Sequence, residues 1–288
     1  MNRKIILHTI SLCFFFCLFG SCTKKTAHVT ISLSDQCAEK EKNTAYDVIC
    51  KRIASLVKIK EVTPLINNTF DISYIQKKVE VPFEKLITQK GEIFVSECYD
   101  LDEMGDLLSE IYQNNPDKIY PPDTSILPML ATVVEKDTAF ANEVFNQYKD
   151  HFSDDVSFLW AASPDPFYGD VCFLFAVKKR SAIFFNPLTV KKAKIDTPQY
   201  SPGFTLCVDL NEEYSVAFEK LTERNVSKPL PIVVDGKIIS YPTVMEKISA
   251  GQLTIAGHFE EEELLLYQAF ILGGALDCEG TFRSVVKN

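Results

Sequence analysis

Apolar and polar residues alternate most regularly in residues 204–275, and the pattern there predicts a complete βαββα unit. Phe204, Leu206 and Val208 occupy alternate positions, which is the period of a half-buried strand. A segment with apolar residues at helical spacing follows Asn211, whose side chain can cap such a helix. The unit therefore begins with a strand followed by an amphipathic helix.

A β-hairpin is predicted next in this unit. The runs Ile232–Val234 and Lys237–Ile239 are joined by Asp235 and Gly236. Asp-Gly is a strong signal for a type I′ turn, because both central residues of that turn need a positive φ. A second helix is expected over about Glu260–Leu272, where two Gly residues end it.

The motifs of this unit resemble those of a known protein family. Residues 225–244 (NVSKPLPIVVDGKIISYPTV), 257–262 (GHFEEE) and 273–276 (GGAL) are similar to the head region in the first periplasmic domain of SecD, a protein-export component. In that family the second block usually has Asn and Thr where this chain has His258 and Glu260, so the helix loses a good N-cap. The resemblance implies a head that captures an emerging polypeptide and swings relative to a base.

Residues 28–100 have the pattern of a ferredoxin-like sandwich, whose element order is β-α-β-β-α-β. The resemblance to SecD extends here more faintly, through residues 51–56 (KRIASL) and 92–94 (EIF), and implies the base of the same domain. The predicted fold class is therefore α+β, with a ferredoxin-like base subdomain and an α+β head subdomain. The expected base elements are a strand from Val29, a helix over about Ala38–Leu56, strands at Glu61–Leu65 and Thr69–Tyr74, a short helix from Pro82, and a strand at Glu92–Tyr99.

The chain is expected to pass from the base into the head and then to return to the base. Residues 137–139, 158–160 and 186–189, between the two, resemble blocks of the fused SecDF form in order and spacing. We expect the chain to return to the base at its end, with a strand at about Thr281–Val286. The predicted segments are a signal peptide at 1–21, a lipid-anchored tether at 22–27, the ferredoxin-like base at 28–100, the head with its connecting segment at 101–256, and the returning helix and strand at 257–288.

The N-terminus predicts export. An apolar run at residues 5–19 follows a short basic start and precedes Gly20, Ser21 and Cys22. The run is short for a bilayer span and has the length of a secretory signal. The small residues before Cys22 resemble the bacterial lipobox, although Phe19 stands where that pattern prefers Leu. This resemblance implies a lipid anchor, such as palmitate, at Cys22, in the bacterial envelope and facing the periplasm or exterior. Ordinary cleavage near Ser21 and retention as an uncleaved anchor are the alternatives.

The charge of the chain bears on its possible partners, and its cysteines bear on disulfide bonding and metal chemistry. With 30 basic and 39 acidic side chains, a net charge of −9 and no basic stripe, the chain is not expected to bind nucleic acid. An even number of cysteines remains beyond Cys22, which permits disulfides in an exported protein and leaves their pairing open. No C-x-x-C spacing occurs, so redox or zinc chemistry is not expected. The cysteines in question are Cys37, Cys50, Cys98, Cys172, Cys207 and Cys278.

No residue pattern indicates catalysis or a cofactor. His28, His151 and His258 lack the spacing of a metal site, and neither a phosphate-binding glycine loop nor a metalloprotease motif occurs. Asp165 lies near Ser163, but the G-x-S-x-G elbow of hydrolases is missing. We therefore expect no enzyme activity, no metal and no cofactor. A small-molecule enzyme with a cleft around His151 or Asp165 is the least favoured alternative.

The resemblance implies a non-enzymatic envelope protein that binds exported or unfolded polypeptide passively. Carried over by position in the family's head, the candidate binding surface is Asp235, Gly236, Tyr241 and Pro242. No apolar run of about twenty residues follows the signal, so we expect the family's transmembrane half, and with it proton coupling, to be missing. The alternative is a structural or interaction subunit of a defined envelope complex, with one fixed protein partner.

Overall fold

The computed structural model describes residues 25–75, 82–122, 129–161, 169–198, 203–278 and 280–287. The predicted signal peptide, Cys22, Ser163 and Asp165 lie outside these described residues. The strands are β1 (Thr26–Leu33), β2 (Ile59–Val62), β3 (Thr69–Ile75), β4 (Ile93–Val95), β5 (Met129–Val134), β6 (Val156–Trp160), β7 (Val171–Lys178), β8 (Ile183–Phe185), β9 (Val190–Asp196), β10 (Thr205–Leu210), β11 (Ile232–Val234), β12 (Lys237–Ser240), β13 (Gln252–Ile255) and β14 (Gly280–Lys287). The α-helices are α1 (Glu39–Leu56), α2 (Phe83–Thr88), α3 (Leu101–Met104), α4 (Asp106–Asn114), α5 (Thr138–Gln147), α6 (Glu212–Arg224) and α7 (Glu261–Gly273).

The base is a four-stranded antiparallel sheet in the order β14-β1-β3-β2. Helices α1 and α7 pack against each other, and their buried side chains join those of β1 and β3 in one core. Because α1 connects β1 to β2 and α7 precedes β14, the base has the element order of a ferredoxin-like sandwich, with the head inserted before the last helix and strand.

The strand predicted at Glu92–Tyr99 does not join the base sheet. Its ordered part is β4, which lies between β11 and β8, while β14 takes the place beside β1. The β1–β14 ladder runs over seven residue pairs, whereas β4 has three residues and offers a much shorter ladder. Alternation of apolar residues identifies a strand but carries no information about its partners, which is why the prediction was wrong on this point.

The head combines a four-stranded sheet, β12-β11-β4-β8, with a three-stranded sheet, β13-β10-β9. In the hairpin between β11 and β12, Asp235 and Gly236 have φ values of 48° and 78°, so the predicted turn with two positive φ angles is confirmed. Helix α6 follows β10 and buries Phe218 and Leu221 against the sheets. Most buried residues of the two head sheets belong to the same core as the base.

The elements from α3 to β7 form the connecting segment, which builds a small layer of its own. The sheet β5-β7-β6 packs with α4 and α5 around a second core that includes Ile111, Leu130 and Phe145. The other face of β7 contacts Val233 and Ile238 of the head hairpin in a third apolar cluster. The connecting layer is therefore packed against the head.

Two helix starts differ from their predictions. The Asn211 side chain does not cap α6; its Nδ2 donates to the carbonyl oxygen of Leu188 at 2.7 Å. At α7, the Glu263 carboxylate accepts a hydrogen bond from the backbone N–H of Glu260 at 3.1 Å in a capping box. A glutamate one turn into the helix thus compensates for the missing Thr at its start.

Arg52 joins three helices in the centre of the base. The side chain is fully buried, and its Cζ lies 4.5 Å from the ring centroid of Phe270. Burial lowers the pKa of Arg52 to about 9, and the carboxylate of Asp235 opposes that shift. The carbonyl oxygens that accept from the guanidinium cluster at the C-terminal ends of α2 and α7, where helix carbonyls lack partners and the helix dipole favours a cation. These acceptors are Leu86 at 2.7 Å, Gln89 at 2.9 Å, Lys90 at 2.5 Å and Gly274 at 2.7 and 2.9 Å.

Cys37 and Cys278 form a disulfide, a pairing that the sequence alone left open. The bond links the start of α1 to the segment between α7 and β14, across 241 positions of sequence. Of the other cysteines in the described residues, Cys98 and Cys172 are buried thiols, and two more are partly buried. Burial raises the pKa of the Cys98 thiol, so this group is unreactive near neutral pH.

Candidate functional site

An apolar groove opens on the head between α6, β13 and the segment that follows β12. Its volume is about 390 Å³, within the range of about 300–1,000 Å³ that is typical of ligand pockets. The lining is mainly apolar and is shared among elements that are distant in sequence. The lining residues are Val95, Phe218, Thr222, Leu230, Ile232, Pro242, Thr243, Val244, Met245, Glu246, Ile248, Gln252, Leu253 and Thr254.

The buried lining residues of the groove come from rigid elements. Phe218 belongs to α6, Val95 to β4 and Ile232 to β11, and all three are at most 3% exposed. Because β4 and β11 are paired, their side chains keep a fixed relative position. This part of the lining is therefore preorganised and presents carbon atoms to whatever enters the groove.

Residues 242–248 form one wall of the groove, and backbone hydrogen bonds hold this wall in place. The carbonyl oxygen of Pro242 accepts from Leu230 N–H at 3.0 Å, and Val244 N–H donates to the carbonyl oxygen of Lys228 at 3.0 Å. At the end of the wall, Ile248 N–H donates to the hydroxyl of the buried Thr222 at 3.0 Å. The wall therefore keeps its shape without help from a bound ligand.

Met245 projects from this fixed wall and, at 83%, is the most exposed large apolar side chain of the described residues. Its backbone neighbours are held, but the thioether chain has three rotatable bonds. Met245 can thus adapt its contacts to different apolar partners at the mouth of the groove.

The groove rim carries an excess of negative charge. Lys247 forms ion pairs with Glu219 at 3.2 Å and with Glu223 at 3.6 Å, and Glu246 adds a third carboxylate. Hydrogen bonds from Lys247 and Ser249 lower the pKa of Glu219, so this carboxylate stays ionised. Lys247 and Lys220 lie near three glutamates, so the rim keeps a small excess of negative charge that favours cationic groups on a partner.

Of the four binding residues predicted from sequence, Pro242 lines the groove. Asp235 and Gly236 are exposed at the hairpin tip, and the Asp235 carboxylate accepts from the N–H groups of Gly91 at 3.0 Å and Glu92 at 2.8 Å. That bonding gives Asp235 a role in holding the hairpin against the segment before β4. A role of these residues in polypeptide binding stays a prediction.

Tyr241, the fourth predicted residue, turns away from the groove. Its ring centroid lies 5.2 Å from that of Phe175 on β7, within the apolar contact between head and connecting layer.

The residues that sequence reasoning missed are those buried in the groove lining, because a buried groove residue has the same apolar signature as a core residue. Met245 could have been noticed as an apolar residue in a segment without periodicity.

The three histidines of the described residues are far from forming a cluster. His28 Nδ1 lies 2.8 Å from the hydroxyl oxygen of Ser73, the His151 ring is tilted against that of Tyr148 with their centroids 6.0 Å apart, and His258 is exposed. In the part of the chain that the structure describes, no group of three or more His, Cys, Asp or Glu side chains could hold a metal ion.

A polar depression of about 380 Å³ lies near His151 and bears on the enzyme alternative. His151 is not among the residues that line it, and Lys179 Nζ is occupied by the carbonyl oxygen of Asp154 at 2.9 Å. Ser153, Ser157, Asp150 and Asp154 are among its lining residues, and the Ser153 hydroxyl accepts a hydrogen bond from the backbone N–H of Asp155 at 3.2 Å.

Comparison with known proteins agrees with the motifs of the head. Residues 175–278 match the family described as "SecDF, P1 head subdomain". The "Protein translocase subunit SecD" of Syntrophobacter fumaroxidans is 32% identical over 87 residues, which cover 30% of this chain and 16% of that protein. The SecD subunit of Dictyoglomus turgidum is 34% identical over 87 residues, covering 30% of this chain and 22% of the relative. This chain thus spans about a fifth or less of the curated relatives' length in the matched region.

The fold is similar to that of a solved SecDF structure, described as a "Super-membrane-facing form". The similarity has a TM-score of 0.51 at 14% identity and covers 91% of this chain and 30% of that one. The predicted α+β class and the resemblance to the SecD periplasmic domain are therefore confirmed. Among the helices of the described residues, none combines the length and apolar composition needed to cross a membrane.

Proposed function

Starting from the SecD-type head in residues 175–278, we propose that this protein binds exported or unfolded polypeptide passively in the apolar groove of its head. It takes part in protein translocation in the bacterial envelope, without catalysing a reaction and without proton coupling. The observation that carries the proposal is an open apolar groove whose buried lining residues are held by paired strands.

The groove suits a flexible, partly apolar chain. Transferring one apolar side chain from water into such a groove stabilises the complex by about 1.5–3 kcal/mol at full burial. Because the lining offers few directional polar groups and Met245 adapts its shape, the contact selects for apolar character rather than for one sequence. Weak, general binding of this kind is what capture of many different chains requires.

We further propose that the protein is a lipoprotein held at the membrane through Cys22. The support is the small-residue pattern before Cys22 after an apolar run of signal length. The Cys37–Cys278 disulfide fits an exported protein, because such bonds persist in oxidising compartments. Replacing Cys22→Ser should release the protein from sedimented membranes, and unchanged sedimentation would exclude the anchor.

Photocrosslinking in cells tests the groove. A photoreactive residue at Met245 reports on the groove mouth, and one at Ile66, an apolar residue of the base that is 63% exposed, is the control. We expect many unrelated exported proteins in the adducts from position 245 and few from position 66. One recurrent partner at position 245 would instead indicate a subunit of a defined complex. Equal adducts at both positions would show that the groove is not a binding site.

A further inference from the structure

Strand β13 lines the groove and is the outer strand of its sheet. It pairs with β10 over Gln252–Ile255, and in the described residues no other strand pairs with it. An outer strand presents a row of backbone donors and acceptors to its surroundings. The groove thus has an apolar lining on one side and a strand edge on the other.

The register of β13 shows which backbone groups face outward. The N–H of Leu210 donates to the carbonyl oxygen of Gly251 at 2.8 Å, so this pair belongs to the hydrogen-bonded set of the ladder. Hydrogen-bonded pairs alternate with non-bonded pairs in an antiparallel ladder. Leu253 and Ile255 therefore bond to β10, and the N–H and C=O groups of Gln252 and Thr254 point away from it.

The other outer strands of the head are protected. On β9, Gln268 of α7 donates to the outward carbonyl oxygen of Ala193 at 2.9 Å, and three lysines lie along the strand. On β8, the Thr189 hydroxyl donates to the carbonyl oxygen of Phe184 at 2.6 Å. Strand β12 has a bridge to the residue after β6. Among the described residues, no such cover is bonded to the outward groups of β13.

Charge at the groove rim limits the chemistry of the occupant. Glu219, Glu223 and Glu246 outnumber Lys247 and Lys220 there. A segment with Lys or Arg beside its apolar residues complements this rim, whereas an acidic segment is repelled. The chain's own net charge of −9 also disfavours a second copy as the occupant.

We infer that an extended polypeptide with basic residues flanking an apolar stretch binds as an additional β-strand along β13, with alternate side chains in the groove. The outward N–H and C=O groups of Gln252 and Thr254 supply the backbone hydrogen bonds, which do not depend on the sequence of the partner. This inference rests on the proposed function of the groove and specifies how the polypeptide is held there.

Synthetic peptides can separate backbone pairing from apolar contact. The probe is a peptide of alternating Val and Thr with lysines at both ends, and its first control is the same peptide N-methylated at every second residue. Binding to the purified full chain is measured by fluorescence anisotropy. We expect the N-methylated peptide to bind about tenfold more weakly, because it loses N–H donors along one edge and its methyl groups obstruct pairing there, while its side chains are kept. A glutamate-flanked version should also bind more weakly.

Variants of the protein test the same contact from the other side. Thr254→Pro removes the outward N–H without touching the bonds to β10, and Pro is tolerated on an outer strand. We expect it to bind the parent peptide about tenfold more weakly, whereas Thr254→Val, which keeps the N–H, binds normally. Met245→Ser, which removes the apolar side chain without adding charge, should weaken binding of both peptides, which places binding in the groove.

The outcomes distinguish the two proposals. Equal affinity for the parent and N-methylated peptides overturns strand addition and leaves the groove function standing. If neither these peptides nor an unfolded polypeptide binds, the groove function itself fails. A dimer in sedimentation that Thr254→Pro abolishes would identify a second copy as the occupant and overturn the inference. If Thr254→Pro does not fold, the comparison of the two peptides on the unmodified protein decides.

Discussion

The Arg52 guanidinium and the backbone carbonyl of Gly274 form two hydrogen bonds, from Nε at 2.9 Å and from Nη2 at 2.7 Å, across 222 positions of sequence. Both groups are buried beside the ring of Phe270. The contact fixes the end of α7 against α1, and further bonds from the same guanidinium fix the end of α2. One side chain therefore determines how the helices of the base meet.

Replacing Arg52→Met should lower the free energy of unfolding by about 3 kcal/mol or more. The variant retains much of the buried volume but removes the guanidinium donors from the carbonyl oxygens of Leu86 and Gly274 in a buried site. Urea denaturation measures the change. Lys51→Met is the matched control, because Lys51 is the exposed neighbour on the same helix and should be nearly neutral. Similar losses in the two variants would contradict this role for Arg52.

Gly273→Ala should destabilise the protein by about 1–3 kcal/mol, although Ala normally favours a helix. A Cβ atom at this position would lie 2.3 Å from Cγ and 2.8 Å from the backbone N of Arg52. The clash depends partly on the Arg52 side chain, so the effect of Gly273→Ala should be smaller in an Arg52→Ala background. A double-mutant cycle in urea measures this coupling, and additive effects would show that the close approach is not the cause.

Loss of the Cys37–Cys278 disulfide should lower stability by about 2–5 kcal/mol, since the bond closes a loop of 241 positions. The double variant Cys37→Ala, Cys278→Ala should unfold at the same urea concentration with and without reductant. The unmodified protein should be sensitive to reductant. Cys207→Ala, which removes a free thiol, serves as the control. A reductant effect that persists in the double variant would place a disulfide elsewhere.

Acid should weaken the start of α3 through Asp100. Burial by itself raises the pKa of Asp100. Hydrogen bonds from Glu103 N–H and from Lys228 lower it by a larger amount in total, so the net shift is downward. A carboxylate with a lowered pKa in the folded state contributes stability above its unfolded pKa of about 3.9, and that stability is lost as pH falls.

In Asp100→Asn, the unfolding free energy should therefore fall less steeply with decreasing pH from about pH 4 downward, because Asn still caps the helix but does not titrate. Urea denaturation at a series of pH values measures the slope. Asp102→Asn, at an exposed neighbouring position, should leave the slope unchanged. A slope in Asp100→Asn equal to that of the unmodified protein would show that Asp100 is not a source of acid sensitivity.

Much of the fold could be predicted because local signals and tertiary packing agree. The alternation in β10, the Asp235-Gly236 turn and the spacing of apolar residues in α6 each reflect a conformation that the local sequence favours. The choice of pairing partners for a strand could not be predicted in this way. That β4 pairs with β11 and β8 depends on which sheet can bury Ile93 and Val95, and neighbouring residues do not encode that competition.

The groove could be predicted only in part for a related reason. Pro242 was anticipated through its position in a motif, whereas Phe218 and Val95 line the groove because a helix and a strand far apart in sequence meet there. Asp235 shows the reverse case. Its turn geometry follows from the sequence, but its bonds to the N–H groups of Gly91 and Glu92 arise only when the hairpin reaches the segment before β4.

The pairing of β1 with β14 affects when the base can fold during synthesis. The ribosome makes β1 long before β14, its neighbour across Ala27–Leu33, because the two strands lie far apart in sequence. Until then one edge of β1 has no partner from its own sheet and can pair with other chains, which is a recognised route to aggregation. The base sheet can therefore be completed only after β14 has been synthesised and a very long loop has closed, and the nascent chain would benefit from a holding chaperone during this interval.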